Sequence, residues 1–325
     1  MANNTEMGQV HTENQRLLFR KADDYIDERW TEWRSWRRLL HAHPELSWNE
    51  QHTTDFIQRT LAGFKLSLRP GPRGMGGFVE LGNTQAGELI ALRGDIDAIP
   101  VEEANEVPYC SQFDGIMHAC GHDVHTTVVL SVCDTIKHLI DTGAAPDTLR
   151  ARAIFQPAEE VAQGATECIE SGALENVAAI LAMHVDSTRQ VGELGLRDHE
   201  QTACSDEFDV YIEGTGGHGA RPHETTDPIF AATQFINMAY GLVPRVVDAR
   251  NDVVLCFCEI SGGHSANVIP TKVVLKGTLR SFGEDARASV VEQLRNLAKS
   301  IGIAHGVQID LQRTTGIPSV DNCPE

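Results

Sequence analysis

The densest group of metal-binding residue types in the sequence is the segment His118-Ala-Cys-Gly-His-Asp-Val-His125. Three histidines, one cysteine and one aspartate fall within these eight residues. Imidazole and thiolate groups are ligands that suit transition metals. Cys120 and His122 stand where a loop is predicted to enter a helix, so both can point into one cavity, and a helix N-terminus favours the thiolate form of cysteine. The segment predicts a metal site more strongly than a polar turn with incidental histidines.

Carboxylates follow two predicted strands. Asp95 and Asp97 come after an apolar strand, and Glu159 and Glu160 come after the strand that ends at Phe155. Ligands of open α/β sheets bind at the carboxyl ends of the strands. Of two adjacent carboxylates there, one can coordinate a metal while the other takes a proton from an activated water. Acids are also common at exposed helix starts, so the Glu-Glu pair alone leaves both interpretations open.

A further histidine, His184, ends a third predicted strand at the same edge. A lone histidine at such a position is more often structural. However, side chains that can bind metal are predicted at four strand or helix ends that converge, and this favours the interpretation of His184 as a ligand.

The second half of the chain has its own polar cluster, Gly214-Thr-Gly-Gly-His-Gly-Ala-Arg-Pro-His223. Its glycines allow close backbone approach and leave His218 on a tight turn, although an ordinary glycine-rich hairpin connection fits the pattern equally well. Asn267 and Arg280 could hold a substrate carboxylate, Arg280 by a two-pronged contact. Taken alone, each of these two residues is more often an ordinary surface or turn residue.

The elements that must position these residues fall into two patterns. Strands that alternate with helices up to Gly195 predict a parallel sheet between helix layers. After Gly195 the order becomes βαββαβ, which is typical of a ferredoxin-like unit. The predicted divisions are a disordered tail (1–22), a catalytic metal-binding domain (23–195), an inserted domain (196–313) and the start of a return to the first domain (314–325).

Composition excludes several classes of function. The formal net charge of −19 argues against nucleic acid and anionic membranes as partners, because both require a basic face. No apolar run approaches the roughly 20 residues of a membrane-spanning helix, and the polar N-terminus lacks the order of a secretory signal. Eight scattered cysteines do not form the pattern of a disulfide framework, so the sequence predicts a cytoplasmic protein.

At these residues the sequence resembles the M20 metallopeptidase superfamily, in the amidohydrolase branch that contains hippurate, auxin-conjugate and N-acyl-amino-acid hydrolases. The resemblance runs in consistent order from about Trp30 to Asn322. It implies a zinc-peptidase-like α/β/α catalytic domain with an inserted ferredoxin-like α+β dimerisation domain. The segments that carry it are Leu40–Leu46, Arg93–Pro100, Met117–Asp123, Phe155–Glu160, Ala182–His184, Gly217–His223 and Asn267–Pro270.

The resemblance also implies two divalent metal ions per subunit, manganese or zinc, with cobalt or nickel as alternatives. By position, Cys120 is similar to the ligand that bridges the two ions. His122, Glu160 and His184 look like further ligands, and Glu159 looks like the general base.

The remaining residues would either contact the substrate or orient the metal ligands. By the resemblance, His218 reaches into the active site of the partner subunit in a homodimer and polarises the scissile carbonyl. Asn267 and Arg280 match positions that anchor the substrate. Asp95 and Asp97 are expected to lie behind the ligands and orient them.

The predicted function is therefore that of a metal-dependent amidohydrolase acting on N-acyl amino acids or similar small amides. One departure supports a different hypothesis. The last metal ligand of the family is a histidine in a C-terminal segment that this 325-residue sequence does not reach, and His305 falls in the predicted inserted domain. The alternative is a truncated or catalytically impaired relative that serves as a small-molecule-binding or dimerisation scaffold.

Overall fold

The computed structural model describes residues 12–83, 85 and 87–323. The chain divides into two compact units, with the boundary between Gln190 and Val191. Among the described helices, none is both long enough and apolar enough to cross a membrane.

The first unit is built on a five-stranded sheet. Its elements are α1 (Glu13–Ala42), α2 (Gln51–Gly63), β1 (Arg69–Pro70), β2 (Gly77–Gly82), β3 (Leu89–Asp95), α3 (His122–Asp141), β4 (Arg150–Gln156), α4 (Gly164–Glu170) and β5 (Val177–Ala182). The strand order is β1-β2-β4-β3-β5. β3 runs parallel to both β4 and β5, whereas β2 runs antiparallel to β4 and to β1. The α/β class is as predicted, but the sheet is mixed instead of parallel, because β2, which the sequence pattern did not assign, runs antiparallel to β1 and β4.

The first helix begins earlier than the sequence pattern predicts. The side chain of Thr12 accepts a hydrogen bond from the Gln15 amide, and the Gln15 side chain accepts one from the Thr12 amide. This capping box stabilises the helix start. Residues 13–22 are therefore helical, in contrast to the predicted disordered tail, and residues 1–11 of that tail lie outside the described residues.

Close packing of α3 against β3 brings the helix start to the sheet edge. A Cβ on Gly94 would lie 2.8 Å from Val129 Cγ2, and a Cβ on Gly121 would lie 2.2 Å from Val185 Cγ2. Gly121 also has a φ of 87°, which favours glycine. The far part of α3 is anchored by Asp134, which accepts hydrogen bonds from residues of α1. Both glycines therefore let the helix that begins at His122 approach the strand ends closely.

The second unit has the predicted βαββαβ order, with short additional strands. The elements are β6 (His199–Glu200), β7 (Cys204–Glu213), β8 (Gly217–His218), α5 (Pro228–Val246), β9 (Val253–Ser261), β10 (Val268–Ile269), β11 (Lys272–Ser281), α6 (Glu284–His305), β12 (Gln308–Thr315) and β13 (Asp321–Asn322). A four-stranded antiparallel sheet has the order β12-β7-β11-β9. The helices α5 and α6 share one apolar core with this sheet, around Phe208, Phe235 and Leu294. The segment expected to start a return to the first domain instead continues β12 and pairs β13 with β6.

A buried ion pair fixes α6 to β7. Arg287 donates to both carboxylate oxygens of Asp206, at 2.6 and 2.8 Å, and the two side chains are 5% and 1% exposed. Burial alone would raise the pKa of Asp206, but the hydrogen bonds from Arg287 hold it below its ordinary value of 3.8. A depressed carboxyl pKa stabilises the fold above the ordinary value, and this contribution is lost as the pH falls through the lower folded value.

We expect Arg287→Met to lower the free energy of unfolding at neutral pH by about 3 kcal/mol, because the buried Asp206 charge keeps only the Gly316 amide at 3.1 Å and the more distant Arg313 guanidinium at 3.8 Å. The difference from wild type should shrink as the pH falls and Asp206 becomes protonated. Lys272→Met is the control, because the Lys272–Glu213 pair on the same sheet is about half exposed and should contribute under about 1 kcal/mol. Urea unfolding measures the free energy of unfolding of both variants. Equally small losses in the two would contradict the conclusion that the buried Arg287–Asp206 pair stabilises the fold.

Candidate metal centre

The carboxyl ends of three parallel strands meet at one edge of the first unit's sheet. β3 ends at Asp95, β4 at Gln156 and β5 at Ala182, and α3 begins beside them at His122. Asp97, Glu159, Glu160 and His184 follow these strands within a few residues. The strand order thus places at one edge the side chains that the sequence pattern expects there.

Two of the three groups of ligand-type side chains that share His122 consist of the predicted ligands and the predicted base. The ligand atoms of Cys120, His122 and His184 lie within 4.8 Å of one another, as do those of His122, Glu159 and Glu160. Cys120 Sγ lies 3.3 Å from His184 Nε2. The predicted ligands and the predicted base therefore lie together around one imidazole.

The imidazole of His122 is oriented from behind by Asp97. Its Nδ1 lies 2.9 Å from the Asp97 carbonyl oxygen and 3.2 Å from Oδ1, so Nδ1 carries the proton and donates it. Its Nε2 is buried and has no hydrogen-bond partner among the described residues. Carboxylate oxygens of Asp95, Glu160 and Glu159 surround this nitrogen at 3.6, 3.7 and 3.9 Å, beyond hydrogen-bond range. A nitrogen without a hydrogen-bond partner, surrounded by carboxylate oxygens, is a suitable position for binding a divalent cation.

The electrostatics of the cluster favour positive charge. Burial lowers the pKa of His122, but the hydrogen bond with Asp97, the neighbouring Cys120 thiol and the charge of Asp95 raise it to about 11. The hydrogen bond with Cys120 raises the pKa of His184 to about 9. The neighbouring His122 imidazole and the hydrogen bond with His184 lower the pKa of the Cys120 thiol. The cluster stabilises both a thiolate and a cation, which is what a metal with a thiolate ligand requires.

Asp97 also fixes the backbone of the neighbouring loop. Its Oδ2 accepts hydrogen bonds from the Glu160 amide at 3.1 Å and from the Ser47 hydroxyl at 2.7 Å. Burial and the charge of Asp95 raise the pKa of Glu159 above its ordinary value. Within this loop, Glu159 is thus the carboxylate with the environment of an acid–base group.

His125 has a role that the sequence pattern did not assign. Its Nδ1 donates to Asp95 Oδ1 at 2.6 Å, and its Nε2 accepts from the Val185 amide at 3.0 Å. The ligand atoms of Asp95, His122 and His125 also lie within 4.8 Å of one another, but both nitrogens of His125 are already engaged. His125 therefore ties the backbone after His184 to Asp95. Its position one helical turn after His122 was the available signal.

The remaining predicted residues lie in the second unit. β8 pairs with β10 so that His218 stands opposite Val268, and the Gly219 amide donates to the Asn267 carbonyl at 2.7 Å. His218 and Asn267 are thus neighbours. Arg280 lies on β11 in the four-stranded sheet, between Ser205 and Val254, with its side chain exposed. The structure therefore places Arg280 in a different sheet from His218.

A coordinated thiolate is a poor nucleophile, so metal should protect Cys120 from alkylation. We expect N-ethylmaleimide to modify Cys120 at least about tenfold faster after chelation than with manganese bound. Cys256 on β9 is exposed and serves as the internal control, because its rate should not depend on metal. Peptide mapping by mass spectrometry gives both rates. If Cys120 is modified at the same rate with manganese bound and after chelation, Cys120 is a structural residue and not a metal ligand.

Comparisons with known proteins agree with this geometry. The sequence profile described as peptidase family M20/M25/M40 matches residues 91–317. The chain is 37% identical over 287 residues to the N-acetylcysteine deacetylase of Bacillus subtilis (strain 168), covering 88% of this chain and 74% of that protein. It is 35% identical over 301 residues to the N-acyl-L-amino acid amidohydrolase of Geobacillus stearothermophilus, covering 92% of this chain and 80% of that protein.

A solved structure gives the same result. The crystal structure of a dinuclear metal-binding peptidase of the M20 family from Bacillus subtilis matches with a TM-score of 0.76 and 36% identity, over 90% of this chain and 76% of that chain. The range matched by the profile contains both ligand groups around His122. The chain belongs to the M20/M25/M40 family of peptidases and is a hydrolase that acts on amide bonds.

Proposed function

We propose that this chain is a metal-dependent amidohydrolase that cleaves the amide bond of N-acyl amino acids or similar small amides. The observation that carries the proposal is the convergence of two ligand groups on the unpartnered Nε2 of His122. The named activities of two relatives, an N-acetylcysteine deacetylase and an N-acyl-L-amino acid amidohydrolase, support the substrate class.

Two divalent cations would be held by four side chains, Cys120, His122, Glu160 and His184. Thiolate and imidazole ligands favour transition metals over magnesium or calcium, so manganese or zinc is the expected ion, with cobalt or nickel as alternatives. When bound, such ions supply the Lewis acidity that activates water and polarises an amide carbonyl.

Glu159 is proposed as the general base. Its raised pKa keeps it a competent proton acceptor that can also return the proton. It would remove a proton from the attacking water and then deliver it to the nitrogen of the leaving amine. Because Glu159 must be ionised to begin, activity should fall on the acid side as the pH drops through its raised pKa.

The second unit is proposed to complete the active site across a homodimer. His218 Nδ1 accepts a hydrogen bond from the Ala220 amide at 3.0 Å, so Nε2 carries the proton of the neutral ring and can donate to the developing oxyanion. Asn267 and Arg280 would hold the substrate carboxylate. The edge strand β9 exposes Val254 and Ile260, and such edges pair readily with a second copy. His218 would then act in the active site of the partner subunit.

We also propose that the protein works in the cytoplasm. The eight cysteines are all free, and their scattered spacing gives no disulfide framework. A reducing compartment suits a site that uses a cysteine thiolate as a ligand.

Release of free amino acid from a panel of N-acetyl and N-benzoyl amino acids, with manganese or zinc present, tests the proposal. The matched control is the same amide without its carboxylate, for example an N-acetylated simple amine. We expect kcat/KM to be at least about tenfold higher for the carboxylate-bearing amide, because a site built to bind a charged group rejects analogues that lack it. Absence of release from every panel member, in protein that holds metal, would contradict the proposal.

A further inference from the structure

The loop that carries Glu159 and Glu160 has a strained backbone. Ala158 and Ala162 have φ values of 50° and 56°, in the left-handed region that residues with a Cβ rarely adopt. The Ala158 carbonyl accepts from the Gly164 amide at 3.1 Å, which closes the loop. Such conformations persist only where the surroundings hold them. Something outside this loop, here called the Glu159 loop (157–164), must therefore fix it.

Glu50, the residue before α2, makes the most direct contact with the Glu159 loop. Its Oε1 accepts a hydrogen bond from the Ala158 amide at 2.8 Å, and both residues are 0% exposed. Its Oε2 is buried and has no hydrogen-bond partner among the described residues. Burial raises the pKa of Glu50 to about 7. A half-satisfied buried carboxyl group is costly for stability, so stability alone does not explain its presence.

The residues just before Glu50 reach the rest of the Glu159 loop. Trp48 Nε1 donates to Gln163 Oε1 at 2.9 Å, close to the end of the loop. The Ser47 hydroxyl donates to Asp97, whose other contact is the amide of Glu160. One short segment, 47–50, therefore contacts the loop near its start and its end, and contacts the carboxylate that holds its middle.

We infer that Glu50, assisted by Trp48, is a positioning residue that holds the Glu159 loop so that Glu159 and Glu160 face His122. The inference rests on the proposed function for its kinetic consequence. Loss of the Ala158 hydrogen bond should misplace Glu159 and weaken the metal position served by Glu160. Supporting contacts of this kind typically change activity or metal affinity by about 10–100-fold. The lost contact involves no substrate, so kcat should fall while KM stays within about threefold.

Amide hydrogen exchange of the whole chain, read on peptides that cover 157–164, tests the inference without reference to activity. Glu50→Leu removes the acceptor and should speed exchange there about tenfold. Glu50→Gln keeps an oxygen at the same place and should exchange within about threefold of wild type. Glu45→Ala is the matched control, because Glu45 accepts from the amides of His52 and Thr53 at the start of α2. It should speed exchange in α2 and leave the Glu159 loop and kcat unchanged.

Faster exchange confined to the Glu159 loop in Glu50→Leu, with rescue by Glu50→Gln and a fall in kcat, is the expected result. Wild-type exchange in the loop, or equally faster exchange in α3, would overturn the inference. If Glu50→Leu does not fold, Trp48→Phe decides, since it removes the donor to Gln163 and keeps an aromatic ring under Arg73. Faster exchange in the loop supports the inference, and unchanged exchange overturns it. A wild-type protein without amidase activity would refute the proposed function, and the exchange data would still decide the role of Glu50.

Discussion

Glu159→Gln is expected to lower kcat by about 10²- to 10⁴-fold, the usual contribution of an acid–base carboxylate, while the metal content per chain stays unchanged. Glutamine has the same shape but cannot accept the proton. Glu159 has the raised pKa, whereas the neighbouring Glu160 has its amide fixed by Asp97 and its Oε1 3.7 Å from His122 Nε2.

The matched variant is Glu160→Gln, which should lose metal as well as turnover, because Glu160 is the proposed ligand. Steady-state kinetics and elemental analysis of the same preparations separate the two effects. Loss of metal in Glu159→Gln together with retention in Glu160→Gln would reverse the two assignments.

His218→Ala is expected to lower kcat by about 10²- to 10³-fold, the usual cost of one oxyanion donor. Metal content should not change, because His218 lies in the second unit and outside both ligand groups. If His218 serves the partner subunit, inactive Glu159→Gln and His218→Ala chains should complement each other when mixed. Each hybrid dimer then has one site with both residues intact, so a random mixture should recover about a quarter of wild-type activity.

Subunit exchange must be shown in the same mixture, for example by co-purification of an untagged chain with a tagged one. Mixing either variant with itself is the control and should recover no activity. Demonstrated exchange without recovery would mean that His218 acts within its own subunit or has no role in the reaction.

The gathering of ligand-type side chains at the strand ends could be predicted because its signals are local. Cys120 and His122 are two residues apart at a helix start, and parallel strands bring their carboxyl ends together whatever the details of packing. The early start of α1 was also predictable, since Thr12 and Gln15 have the spacing of a capping box. The antiparallel strand β2 was missed because it is short and has a glycine at each end, Gly77 and Gly82.

The positioning contacts could not be predicted in the same way. Glu50 and Ala158 are 108 residues apart in sequence, and nothing in either neighbourhood identifies the other as its partner. The same holds for His125, whose second contact is a backbone amide 60 residues away. Contacts between a side chain and a distant backbone group leave no residue-type signal, so only the folded structure reveals them.

Turnover of an N-acetyl amino acid before and after metal removal tests the central claim most directly. We expect chelated protein to release no free amino acid, and added manganese or zinc to restore release. His122→Ala, which removes the side chain shared by both ligand groups, should not be restored by either metal. Full turnover by metal-free protein, or restoration of His122→Ala to the wild-type rate, would contradict a reaction centred on these ligands. Metal binding without any turnover would instead favour a small-molecule-binding or dimerisation scaffold.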